Sequence, residues 1–531
     1  MKKLLRDLLS LLLAAAMLCC TGCAAAENSA PKSANIAATG TLSSINPLLI
    51  DGTEVMKYAL SLTFLPLVEL NRNLEFVPQL AQSITTDDNL TFTIRLQENA
   101  VWSDGQPVTS EDLVFTLLLL TSPEAGRAIL SQYMIVGTDD AGMLPSGATE
   151  IEGVKAVDDK TVTVTVKWPT SLNTFQNNFG RYLFVLPEHV LGAIPRDQLL
   201  THPWFQQPDV VSGPFFITEA DTSHYVRYRA NANYFLGAPK LDYLNLNITT
   251  PAQLLAGLKT GEIDLVQQTM ASVLLEDYDA IRALPNAAAV PGSPITNQCI
   301  FFNVQNVTDV RIRQALLCGI PRELIREEML GGSGETVDAF LCSASPFYSE
   351  ELGVTAYDPE KAAALIEAAK ADGANTSLMW YTDSGDATFV SVVELIASLM
   401  EELGLKIEIR TLDLDSLMGV AVEGSFDVLS VQYTIPPIDP YIDVSWLLSE
   451  GGWTRYVNPA LDEHFALTQQ STDVEAVRGA YLAINRAVVE DVPMISAYIV
   501  SAMGAVSNRL TNAQPDVFGT FVNVHEWDIA E

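Results

Sequence analysis

The chain has 531 residues and is strongly acidic, with 65 Asp and Glu against 30 Lys and Arg and a formal net charge of −35. A surface of that sign repels polyanions, which argues against nucleic acid and anionic lipid as partners and leaves cationic or zwitterionic ligands open. With 48% hydrophobic residues, the composition is that of a folded globular chain with room for two or three domains.

Met1-Lys2-Lys3 to Arg6 is basic and Leu8 to Leu18 is an apolar run too short to span a bilayer. Small residues follow, up to Cys23. This pattern predicts a secretory signal peptide over 1–22 and a polar spacer over 23–32. Thr21-Gly22-Cys23 resembles the lipobox of bacterial lipoproteins, with Cys20 where an aliphatic residue is usual. The resemblance implies acylation of Cys23, a tether that strengthens greatly when two chains are attached. Beyond Cys23 only Cys299, Cys318 and Cys342 remain, so a disulfide framework is not expected. After the expected signal peptide no Cys-x-x-Cys or His-x-x-x-His spacing occurs, and neither a metal site nor a cofactor is expected.

In chain order, Asn35-Ile36-Ala37-Ala38 opens a strand, Asn46-Pro47 is a turn, and Val55 to Phe64 reads as a helix. Alternation over Leu90 to Leu96 predicts a half-buried strand. Asp104-Gly105 and Pro107 then break the ladder, and Thr109 with Asp112 forms a capping box for a helix over 111–120. Thr161 to Val166 alternates strictly. Leu254 to Leu265 reads as helix, Gly cap and strand. Ile320-Pro321-Arg322 suggests Pro at the first turn of a helix. Leu378–Tyr381, Phe389–Glu402 and Lys406–Thr411 form a βαβ pattern, which implies a parallel sheet covered by helices. Phe426 to Tyr433 is a further strand, ending at Pro436-Pro437-Ile438-Asp439-Pro440.

Several of these stretches together resemble one family. They are Trp102-x-Asp104-Gly105-x-Pro107-Val108-Thr109, Pro78-x-Leu80-Ala81-x-Ser83, Leu186-Pro187-x-His189, Gly213-Pro214-Phe215 and Gly261-Glu262-Ile263-Asp264. Phe302-Asn303 with Asp309-x-Arg311-x-Arg313-x-Ala315-Leu316, and Tyr456-x-Asn458-Pro459-x-x-Asp462, complete the set. The order resembles that of the extracytoplasmic solute-binding proteins, family 5, the peptide/nickel type that serves ABC importers. The resemblance implies an α/β, two-lobed periplasmic-binding-protein fold of type II with an extra inserted subdomain. The expected division is a discontinuous first lobe (33–65, 212–297 and 497–531), a β-rich insertion (66–211) and a second lobe (298–496).

It also implies capture of a solute, a short peptide first of all, between the lobes, and delivery to a membrane permease with its ATPase. A nickel chelate, an oligosaccharide or a sensing role without import are the alternatives. The chain is expected to act as a monomer, held outside the cytoplasm at the cell membrane by its lipid anchor alone. In peptide-binding members an aspartate three residues before the acidic residue of the Asp/Glu-Pro pair holds the ligand's ammonium. Here Asp439-Pro440 is that pair, and the position is Pro436. Asn46, Asn303, Tyr433, Asp439, Trp446, Trp453 and Arg455 are the candidate cleft contacts. The five histidines form no nucleophile–base set, His189 reads as structural, and no enzymatic activity is expected.

Overall fold

Val290-Pro291-Gly292-Ser293-Pro294 interrupts an otherwise β-forming run, and at this joint the structure keeps the strand continuous but shifts its register. The strand Ala287–Phe302 spans both lobes and pairs antiparallel with Met494–Ser507. The register shifts between Pro291 and Pro294, between Pro294 and Thr296, and between Gln298 and Cys299. Proline has no N–H to give the ladder, and such shifts let a strand pair bend and twist. The computed structural model describes residues 30–125, 134–385 and 387–530. Cys23 and the expected signal peptide lie outside them.

These two strands sit in the middle of a ten-stranded sheet. On one side lie Leu265–Val266, Ser33–Ala38, Tyr243–Ile248, Tyr225–Ala230 and Phe215–Asp221; on the other lie Val428–Thr434, Ser377–Asp383 and Lys406–Leu412. The βαβ reading of the second lobe holds, with Ser377–Asp383 parallel to both neighbours and the helix Ala387–Glu402 connecting it to Lys406–Leu412. The boundaries expected at 297/298 and 496/497 fall inside the two long strands, so the lobes are joined by continuous sheet. Pro321 takes the N-cap position rather than the first turn, since the helix begins at Arg322.

The insertion leaves and returns side by side. Leu65 N donates to Ser212 Oγ (3.0 Å) and Gly213 N donates to Thr63 O (2.9 Å). A Cβ on Gly213 would stand 2.7 Å from Leu62 O, so only glycine permits this crossing. Within the insertion a four-stranded sheet runs Ala81–Thr85, Thr91–Leu96, Thr161–Thr165, Val154–Asp158. The Trp102 motif is its staple. Asp112, buried near the start of the helix Ser110–Leu120, accepts from Trp102 Nε1 (3.2 Å), Thr109 N (2.9 Å) and Glu188 N (2.9 Å). His189 contacts Asp104 at 3.0 Å.

Cys299, Cys318 and Cys342 are free and buried. Burial pushes the Cys342 thiol up to about 11 and raises Cys299 further. A thiol reagent should therefore find no reactive group in the native chain from Ala24 onward and three after unfolding. Labelling followed by intact mass will count them.

Candidate ligand-binding site

In open α/β sheets ligands sit beyond the carboxyl ends of the strands. In the first lobe Ser33–Ala38 runs parallel to Tyr243–Ile248 and to Leu265–Val266. The segments that follow the last two, at Pro251 and at 268–276, face Gly385, Ala387 and Thr388, after Ser377–Asp383 in the second lobe. The long strands form its floor, and the partly open cavity measures about 480 Å³.

Strand alternation decides which residues line it. Thr296 and Gln298 face the cavity from one long strand, and Tyr498, Val500 and Ala502 face it from the other. Ile295 and Ile499 point to the opposite face, into an apolar cluster with Leu70, Val337, Ile438 and Phe518. In the strand Val428–Thr434, Gln432 faces the cavity. Its neighbour Tyr433 points away, giving its hydroxyl hydrogen to Asp443 (2.7 Å).

Apolar wall is supplied by Val273, Leu274, Leu275, Leu330 and Met503. Gln268 donates through Nε2 to Pro515 O (3.0 Å) and Val290 O (3.2 Å), while its buried Oε1 has no hydrogen-bond partner. Among the described residues, Glu276 and Asp383 are the charged ones in the lining, and none is Lys, Arg or His. Among the described residues no group of His, Cys, Asp or Glu is arranged to hold a metal ion.

None of the seven residues picked out in the sequence lines this cavity. Asn46 caps the turn Pro47–Leu49, accepting from Leu48 N (3.0 Å) and donating to Leu200 O (3.1 Å). Asn303 is buried and clamps a loop through Gly424 O (2.9 Å). Trp453 is a core residue, packed edge-on against Phe301, Tyr433 and Trp446 at 5.3–5.5 Å. Trp446 covers it from the surface. Arg455, at φ 53°, donates to the backbone oxygens of Val422 (2.9 Å) and Glu450 (3.1 Å) and meets no carboxylate there.

Asp439 is buried at the contact between the insertion and the second lobe. It accepts from Thr174 Oγ1 and Asn178 Nδ2, each at 2.8 Å. It lines a second, smaller cavity of about 240 Å³ together with Asn89, Ser171 and Tyr481. Both its oxygens are engaged within the protein, so its geometry is that of a latch rather than of a free ammonium partner. The amide residues that do line the main cavity carry no motif in the sequence. Only the alternation around Gln432 and the turn after Gly261-Glu262-Ile263-Asp264 could have pointed to them.

Residues 75–455 match the family described as bacterial extracellular solute-binding proteins, family 5 Middle. The chain belongs to this family. Among relatives of this solute-binding protein, a Brucella ovis chain described as an ABC-transporter peptide-binding protein is 28% identical, covering 70% of this chain and 67% of the relative. The nickel-binding periplasmic protein of Escherichia coli is 22% identical, covering 76% and 75%. The structure of the oligopeptide-binding protein AppA from Bacillus subtilis in complex with a nonapeptide superposes with a TM-score of 0.73 at 20% identity, covering 94% of this solute-binding protein and 100% of AppA. That likeness establishes the two-lobed fold. Family members act outside the cytoplasm, and no helix among the described residues is long and apolar enough to cross a membrane.

Proposed function

We propose that this protein captures a short peptide in the 480 Å³ cavity and hands it to an ABC permease, as a monomer tethered by lipid on Cys23. The observation that carries the reading is the lining itself. Amide side chains from both lobes alternate with aliphatic wall, a surface suited to main-chain N–H and C=O groups and small side chains. The peptide-binding relative points the same way.

Capture follows from the joint. The shifted long strands let the lobes swing, and a solute touching both lobes stabilises the closed arrangement by its differential affinity for it. Catalysis is no part of this reading, because reversible closure needs no bond to break.

Soluble protein from Ala24 to Glu531, screened by thermal shift against peptide pools and by native mass spectrometry, should gain about 2.7 kcal/mol at a hundredfold excess of peptide over Kd. Stabilisation by a nickel chelate or an oligosaccharide, with none by peptides, would overturn the peptide assignment. The lipid on Cys23 is tested separately, by the mass of the N-terminal peptide from membranes and its loss in Cys23→Ser.

A further inference from the structure

Among the described residues, the lining of the main cavity contains Glu276 and Asp383 but no Lys, Arg or His. A peptide with free ends brings a carboxylate as well as an ammonium. Its carboxylate would find no cationic partner among these residues, and an unpaired charge taken out of water is costly. Its ammonium would find two acceptors. The cavity is therefore electrostatically one-sided.

The two acids come from different lobes. Glu276 lies in the segment after Leu265–Val266, and Asp383 is the last residue of the strand Ser377–Asp383. Moving the lobes together brings like charges closer, which opposes closure in the absence of ligand. A cation between them reverses the sign of that contribution. Such a ligand gains affinity specifically for the closed form, which is what shifting the equilibrium requires. Gln268 adds an independent observation: it is a buried residue of the cavity wall whose Oε1 has no donor to accept from. The net charge of −35 further enriches cations near the cleft.

We infer that the cavity selects ligands bearing a positive charge, seated between Glu276 and Asp383, and disfavours ligands that bury a carboxylate there. The inference rests on the reading of this cavity as the capture site. For a peptide ligand it means lysine- or arginine-bearing sequences, with the terminal carboxylate outside the cavity.

The test is calorimetry at low ionic strength on the chain from Ala24 to Glu531, with three end-capped tetrapeptides: Ala-Lys-Lys-Ala, Ala-Gln-Gln-Ala and Ala-Glu-Glu-Ala. Spermidine serves as a cation that is not a peptide. The lysine peptide should bind about tenfold or more tighter than the glutamine peptide, and the glutamate peptide weakest. Glu276→Gln with Asp383→Asn should narrow the Lys-to-Gln ratio to under about threefold, while Glu360→Gln, on an exposed helix, should leave the ratio as it is. Equal affinities for all three peptides would overturn the charge selectivity and leave peptide capture standing. Binding of spermidine with no peptide binding would support the charge selectivity and overturn peptide capture. Binding of none of the four would overturn both.

Discussion

Lys57→Met should cost the protein about 3–5 kcal/mol, and it should do so by uncoupling two parts of the chain. Lys57 is fully buried, with Nζ 2.7 Å from Glu54 and 3.4 Å from Glu69. Arg181, also buried, bonds Glu69 through Nε (2.6 Å), lies 3.8 Å from Glu54 and donates to Asn177 (2.9 Å). Tyr182 gives its hydroxyl hydrogen to Glu54 (2.8 Å). The quartet balances two positive charges against two negative ones. Burial would raise Glu54, yet Lys57 and Arg181 outweigh it and hold the carboxyl below its usual range. Burial and the nearby Arg181 depress the Lys57 amine.

Removing Lys57 leaves two carboxylates facing one guanidinium in a dry site. Adding Glu54→Gln restores neutrality, so the double variant should recover a large part of the loss, and the cycle measures the coupling directly. Urea melts of the four proteins check it. Equal losses that simply add would show that the quartet contributes packing alone. Its position gives it consequence for function. Glu54 and Lys57 sit on the first-lobe helix Glu54–Ser61, Glu69 on the strand Val68–Leu70, and Arg181 just after the turn Gln176–Gly180 of the insertion. The insertion is thus fixed to the first lobe by buried charge, and in the closure proposed above the second lobe is the body that swings.

Much of that architecture was legible in the sequence. Alternation over Leu90 to Leu96 and Thr161 to Val166 gave the sheet of the insertion, and the Thr109–Asp112 box fixed a helix start within one residue. Ordered motifs gave the family. The cavity was not legible, for a physical reason. Its lining comes from alternate positions of strands far apart in sequence and from ordinary Gln, Ser and Thr residues, whose role depends only on which face they present. Large aromatics and charges stand out in the sequence instead. Trp453 turned out to fill the second-lobe core and Arg455 to tie down backbone oxygens. Asn46 and Asn303 are caps and clamps, a task for which short amides are well suited.

Asp439 carries the second large effect, a gain of stability as the solution is acidified. The first contribution is burial, which raises its carboxyl; hydrogen bonds from Thr174 and Asn178 offset part of that, Asp443 adds repulsion, and the result lies at about 6. In the unfolded chain the same group titrates near ~3.9. Between those values the folded protein holds a proton that the unfolded chain has released. Stability from this group therefore rises as pH falls through 6 and is complete below ~4, with a span of about 3 kcal/mol. Asp439→Asn keeps an acceptor for Asn178 and lets the Thr174 hydroxyl turn to accept, but it has no charge to bury. Other carboxyls, such as that of Glu54, are lowered and act in the opposite sense, so the informative quantity is the difference between the two proteins. Wild type should gain on Asp439→Asn by about 2 °C in Tm between pH 7.5 and 4.5, whereas parallel curves would show that Asp439 stays ionised without penalty. Because Thr174 and Asn178 belong to the insertion and Asp439 to the second lobe, the same proton strengthens the contact between the fixed pair and the moving body. Asn89 and Asn173 reach across that contact too, to Gln469 O (3.0 Å) and Ile438 O (3.3 Å). These are neutral bonds that break and re-form at little cost, unlike the charged quartet. The division of labour follows from the chemistry: ion pairs where the parts must stay together, and amides with one titratable carboxyl where they must part.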